Sequence, residues 1–141
     1  MKLTRILSMV LAGIVLAFAL VSCGGEPMQE VTVTLKIVGS DESDPVLDTQ
    51  VTVKAAAPTV LDAFIAACDE NEIPYVLSDD GASVKDIQDF TNHTDENGIA
   101  YYWMYYINDV EPTSGKANAN TISDGDVILY SYVSFDPNET K

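Results

Sequence analysis

The chain has 141 residues, 47% of them hydrophobic, and carries 22 Asp and Glu against seven Lys and Arg, a net charge of −15 at pH 7. A charge of that sign and size repels phosphate backbones and anionic lipid headgroups, so nucleic-acid binding is excluded. Two Cys and one His are too few for a zinc centre, and the length supports one domain with a modest core.

The first predicted element is a targeting segment. Lys2 and Arg5 supply a positive start, and residues 6–21 form an apolar run. That run is shorter than the roughly 20 residues of a membrane-spanning helix and suits a signal peptide. Leu20-Val21-Ser22-Cys23-Gly24 follows at the expected distance and resembles the lipobox of bacterial lipoproteins. The resemblance implies cleavage before Cys23 and attachment of lipid to its thiol. Several acyl chains then give a stable membrane anchor that one chain cannot. The expected organisation is a leader over 1–22, a lipidated Cys and tether over 23–30, a domain over 31–135 and a polar tail over 136–141. Removing the leader leaves 119 residues (141 less 22), with five basic against 22 acidic groups, a net of −17. The tether reaches at most about 25 Å, so the domain works close to the extracytoplasmic face of the membrane. With Cys23 lipidated, Cys68 has no disulfide partner and reads as a small buried residue.

Residues 31–37 alternate strictly, with Val31, Val33, Leu35 and Ile37 on one face and Thr32, Thr34 and Lys36 on the other. This is a half-buried strand. After an acidic turn at 39–45, residues 49–55 alternate again, and the two strands make a hairpin. The period changes at Pro58. Thr59 is placed to cap a helix, and Asp62 completes a capping box. Leu61, Phe64, Ile65 and Cys68 then form one apolar helical face. The helix runs to about Asn71, because Pro74 forbids much more. Residues 75–77 are a short strand. Residues 78–97 read as a long polar loop anchored only by Val84, Ile87 and Phe90, and loops of that length are usually functional or mobile. Asp95-Glu96-Asn97-Gly98 matches only a fragment of a calcium loop, so no metal is expected. Residues 99–107 are a strand, Asn108-Asp109 a turn, Ser123-Asp124-Gly125-Asp126 a tight turn, and 127–133 the last strand. The order predicts an α+β fold, a mixed sheet packed on one helix.

The stretch YYWMYYIND, residues 101–109, holds four of the seven Tyr and the only Trp. On a strand, Tyr101, Trp103, Tyr105 and Ile107 point one way, and Tyr102, Met104 and Tyr106 the other. The core absorbs one such face, and the other is more apolar surface than a monomer needs. The crowding therefore argues for a partner, either a small molecule or an envelope protein or glycan, with packing as the competing reading.

The runs TVLDAFIAACDENEIPYVL, GASVKDI, WMYYIND and ISDGDVILYSY come in the order seen in bacterial lipoprotein domains that resemble the C-terminal domain of transcobalamin and intrinsic factor. The resemblance covers about residues 30–133. It implies a ubiquitin-like β-grasp fold. It also implies contact with a corrinoid ligand through Trp103, Met104 and Tyr105 on the strand, and through a loop near Val84, Asp86 and Ile87. The pattern departs at Tyr102, where many bacterial relatives have Gly, and at Asp109, where the turn is commonly Asn-Gly. The function expected is a membrane-anchored, extracytoplasmic lipoprotein that captures a corrinoid or another small molecule for a transporter. The alternative is an envelope protein- or glycan-binding module. Acids are abundant but none sits in an apolar context that would tune it, so no catalytic residue and no enzyme is expected.

Overall fold

The computed structural model describes residues 24–139. The leader and Cys23 lie outside the described residues, as do the last two residues of the tail.

The described residues build eight strands and one helix: β1 (Gln29–Val38), β2 (Leu47–Ala55), α1 (Val60–Glu70), β3 (Tyr75–Leu77), β4 (Val84–Ile87), β5 (Phe90–Thr91), β6 (His93–Thr94), β7 (Ala100–Ile107) and β8 (Val127–Phe135). The main sheet has the order β2-β1-β8-β7-β6, and a second, small sheet has the order β3-β4-β5. β1 and β8 are parallel in the centre of the main sheet, and the other pairs are antiparallel. This is a mixed α+β architecture with one helix across the sheet.

The alternation of β1 sets the layers. Val31, Val33, Leu35 and Ile37 are buried, as are Val51 and Val53 opposite them on β2. Register carries the same inner face to Ile128 and Tyr130 on β8 and to Trp103, Tyr105 and Ile107 on β7. α1 covers this face. Thr59 caps it as expected: its hydroxyl oxygen accepts from the Asp62 N–H at 3.2 Å, and its own N–H donates to the Asp62 carboxylate at 2.9 Å. The buried side of the helix is broader than its sequence period suggests. Val60, Ala63 and Ala67 are buried beside Leu61, Phe64 and Cys68, while Ile65 is only half-buried. Two alanines at zero exposure let the helix approach the sheet closely, and the loop after β7 covers its flank.

Residues 78–97 are not one long loop. They contain β4, β5 and β6, pieces of two to four residues pinned by the buried side chains of Val84 and Ile87. Strands this short carry no legible period. The Asp124-Gly125-Asp126 turn latches onto β1. The Asp124 carboxylate accepts from the Thr32 N–H at 2.8 Å, and the Asp126 carbonyl accepts from the Thr34 N–H at 2.9 Å. Gly125 turns there at φ +85°, a conformation that side chains disfavour.

Candidate functional site

The aromatic stretch lies on β7, and its edge position makes the site. β6 pairs only with Tyr101 and Ala100, so among the described residues the rest of that edge of β7 has no neighbouring strand, only the isolated bridge from Ile107 to Val110. The edge opens on a cleft of about 250 Å³. Trp103, Met104 and Tyr105 line one wall, and Ser83 and Val84 line the second. The segment after β7, through Glu111, Pro112, Gly115 and Ala117, makes the third, and Tyr130 of β8 lies beneath. Three consecutive strand residues line one cleft only when the cleft meets the strand at its edge, because their side chains alternate between faces.

Each wall is held by identifiable bonds. The Trp103 N–H donates to the Asn92 side-chain oxygen at 3.0 Å, and the indole N–H donates to the Phe90 carbonyl at 2.9 Å. The ring stands edge-on to Phe90, with centroids 6.0 Å apart, and tilts against Tyr132 at 5.1 Å. Trp103 is therefore 8% exposed, a core residue that shows one margin to the cleft. The loop wall is tied to the helix start, whose first N–H groups have no partner within the helix. Val60 N–H donates to the Asn120 carbonyl at 2.9 Å, and Leu61 N–H to the Ala117 carbonyl at 3.0 Å. The Asn120 side chain donates to the Tyr105 hydroxyl at 2.8 Å and to the Lys116 carbonyl at 3.1 Å. Gly115, at φ +81°, leaves room for it, since a Cβ there would lie 3.2 Å from the Asn120 amide nitrogen. Lys116 pairs with Asp80 and so joins the loop wall to the β3–β4 turn.

The electrostatics follow from these contacts. Hydrogen bonds from Lys116 and Ser78 hold the Asp80 carboxyl well below the usual carboxylate range. Burial pushes the Tyr105 and Tyr130 phenols up. Tyr130 is 2% exposed, lies 4.7 Å from Phe64 and 5.7 Å from Tyr105 between ring centroids, and its hydroxyl has no hydrogen-bond partner among the described residues. Burial also pushes the Cys68 thiol up to about 12, which keeps it a protonated, inert core residue.

Of the positions named from sequence, Val84, Trp103, Met104 and Tyr105 meet at the cleft. Ile87 is fully buried in the core, and Asp86 lies outside the cleft lining with one carboxylate oxygen enclosed and unpartnered. Both stand on β4 with Val84, but only the end of that strand nearest the β3–β4 turn borders the cleft. Tyr130, Asn120 and the 111–117 segment were missed. They reach the site through sheet register and loop latching, and no local pattern announces either. Among the described residues, no three His, Cys, Asp or Glu side chains gather as a metal site. Nor is any helix there long and apolar enough to cross a membrane.

The fold and cleft thus define a small mixed α+β domain with a recess at an open strand edge. The chain belongs to the family described as Domain of unknown function (DUF4430), whose model matches residues 57–134. No curated protein matches it. Among solved structures, it is similar to haptocorrin in complex with Cbi, at a TM-score of 0.62 and 14% identity, covering 82% of this chain and 28% of that one. It therefore spans little more than a quarter of haptocorrin's length. It is also similar to a protein of Ruminococcus gnavus ATCC 29149 provisionally described as metal-binding, at a TM-score of 0.51 and 12% identity, covering 75% of this chain and 99% of that one.

Proposed function

We propose that this chain is an extracytoplasmic lipoprotein, anchored through Cys23, whose domain binds a small molecule of the corrinoid class at the β7 edge and delivers it to a membrane transporter. The observation that carries the reading is the convergence of Val84, Trp103, Met104 and Tyr105 on one cleft. The likeness of fold to a haptocorrin in complex with Cbi supports the ligand class. The central parallel pair of first and last strands, with a helix following the first hairpin, supports assigning the domain to the β-grasp class.

Size sharpens the reading. Sites that enclose drug-sized ligands usually exceed about 300 Å³. This cleft is about 250 Å³, so a corrinoid would be met along one margin and completed by a second surface. The role is binding and not catalysis, because aromatic and aliphatic groups dominate the lining and orient a ligand without activating one.

The test is a titration with cobalamin and cobinamide, following Trp103 fluorescence and heat together. Saturable binding at micromolar concentration or tighter is expected. Silence at millimolar corrinoid would overturn the reading. The second reading, an envelope protein or glycan partner, is favoured by one observation. The face of the sheet away from α1 carries Tyr102, Met104, Tyr106, Leu129 and Val133, all half-buried. Retention on envelope material, lost when Tyr106 and Leu129 become Ser, would support it.

A further inference from the structure

We propose that two copies of this chain join edge to edge through β2, antiparallel about a two-fold axis, so that Asp48 of each copy faces Lys54 of the other. The proposal does not rest on the ligand reading. β2 forms one end of the main sheet, and the β7 cleft lies toward the other.

The first observation is that β2 is a long edge left bare. It pairs with β1 along all nine of its residues in unbroken register, and no other strand among the described residues pairs with it. Hydrogen bonds fix which of its backbone groups face outward. The Thr32 N–H donates to the Asp124 carboxylate, the Thr34 N–H donates to the Asp126 carbonyl, and the Thr32 carbonyl accepts from the Gly125 N–H. The backbone groups of Thr32 and Thr34 therefore point to the β8 side of β1. Antiparallel pairing alternates, so the residues opposite them, Thr52 and Gln50, turn their N–H and C=O off the free edge. The same alternation adds Asp48 and Lys54. Outside the β1 ladder, the one hydrogen bond to these groups among the described residues runs from the Thr49 hydroxyl to the Gln50 carbonyl, at 3.3 Å.

Native edges are usually interrupted by a bulge, a Pro, a charge or a very short strand. The β7 edge is blocked by Asn92 at Trp103 and by the bridge from Ile107 to Val110. β2 has no bulge and no Pro, and α1 sits back from it. Phe64 of α1 packs on Tyr130 of β8, two strands in, with ring centroids 4.7 Å apart. The charge of Lys54 guards the edge only while nothing opposite neutralises it.

The second observation is the charge pattern. Asp48, Gln50, Thr52 and Lys54 are all exposed, on the face of the sheet away from α1. Residues that point outward must pair with one another. A two-fold centred at Val51 sets Asp48 opposite the partner's Lys54, and Gln50 opposite the partner's Thr52. Moving the register by two residues either way loses one of these pairings and separates the charges. β1 extends the pattern, with Lys36 opposite Asp48 and Glu30 opposite Lys54. Each outer row of the joined sheet then reads Lys36, Asp48, the partner's Lys54, the partner's Glu30, with signs alternating and no net charge. Opposite charges directly across a strand pair stabilise it, and like charges do the reverse. This local neutrality lets two chains of net charge −15 meet here.

Sedimentation equilibrium of the full chain, from micromolar to millimolar, tests the proposal, and a monomer–dimer equilibrium is expected. Asp48→Lys sets like charges against Lys54 in both rows, and Lys54→Asp does so against Asp48. Each variant alone should dimerise at least about tenfold more weakly. An equimolar mixture of the two restores opposite charges in both rows and should form a heterodimer. Thr52→Pro removes an outward N–H that the single chain leaves unbonded, so it should fold and fail to dimerise. Far-UV circular dichroism checks the fold of each variant. A chain that stays monomeric throughout overturns the proposal, also where the edge takes up an extended peptide of another protein instead. A dimer that persists in Thr52→Pro, or in both charge variants alone, uses a different face and overturns it as well.

Discussion

The two halves of this molecule are held by different forces. The half made of β1, β2, β8 and α1 is dry: Leu35, Ile37, Val60, Phe64 and Ile128 are fully buried, and their contacts are apolar. The half made of β7, the small sheet and the 108–126 segment adds, to the buried anchors Val84, Ile87, Trp103 and Ile122, side chains that satisfy backbone groups. Asn92 caps Trp103, Asn120 braces Tyr105, and Asn108 accepts from Val127 at 2.9 Å while donating to Asp126 at 2.9 Å. The first kind of stability is cooperative and indifferent to local detail. The second is local, so each bond can open with little help from the core. The difference teaches why the cleft sits where it does. A recess forms where the backbone is held by side-chain hydrogen bonds and not by a neighbouring strand.

The largest expected effect should break the first half. Leu35→Ala removes a fully buried side chain from the central strand and leaves a cavity under α1. The loss should be about 3 kcal/mol, read as a lower denaturant midpoint with an unchanged slope. Fluorescence of Trp103 and far-UV circular dichroism should report the same transition. If Trp103 unfolds separately, the halves are not one cooperative unit and the comparison fails.

The middle effect belongs to the second half. Asn120→Ala removes the brace between the Tyr105 hydroxyl and the Ser114 and Lys116 carbonyls. The cost should be about 1–1.5 kcal/mol, because the groups it satisfied lie near the surface and water replaces part of the loss. Amide exchange should quicken around residues 111–117 and Tyr105 while β1 stays protected. Equal quickening in β1 would show that the cleft walls are coupled to the core.

The same division explains what could be read from the sequence. The strict alternation at Val31–Ile37 marked the central strand, and Thr59 with Asp62 marked the helix start, because each signal lies within one element. Trp103, Met104 and Tyr105 could be named because aromatic crowding and family resemblance both point there, and Val84 by resemblance alone. Tyr130 could not, since its place beneath the cleft comes from pairing across β8 with Tyr105, 25 residues away in the chain. Residues 78–97 misled for a related reason. Their order comes from two buried anchors, Val84 and Ile87, and not from any repeat. Ile87 shows the limit of resemblance: a residue near the ligand loop by sequence is in fact core.

The smallest effect tests whether backbone geometry limits the second half. Asn108 and Asp109 form a two-residue turn between Ile107 and Val110, both with positive φ, at 51° and 64°. This is the turn for which Asn-Gly is preferred, since both central residues must be left-handed. Asn108 tolerates the conformation and uses its side chain to hold β8. The Asp109 side chain forms no hydrogen bond among the described residues, and Asp109 carries the left-handed strain in full. Asp109→Gly relieves strain of about 1 kcal/mol, partly offset by the extra freedom Gly gains in the unfolded chain. The net expectation is a gain of about 0.5 kcal/mol. Asp109→Asn is the needed companion, because it removes the same negative charge while keeping a side chain at φ 64°. If the Gly variant gains and the Asn variant does not, backbone strain is the cause. If both gain equally, the relief is electrostatic, and the hairpin is limited by the crowding of acids on this chain and not by its turn.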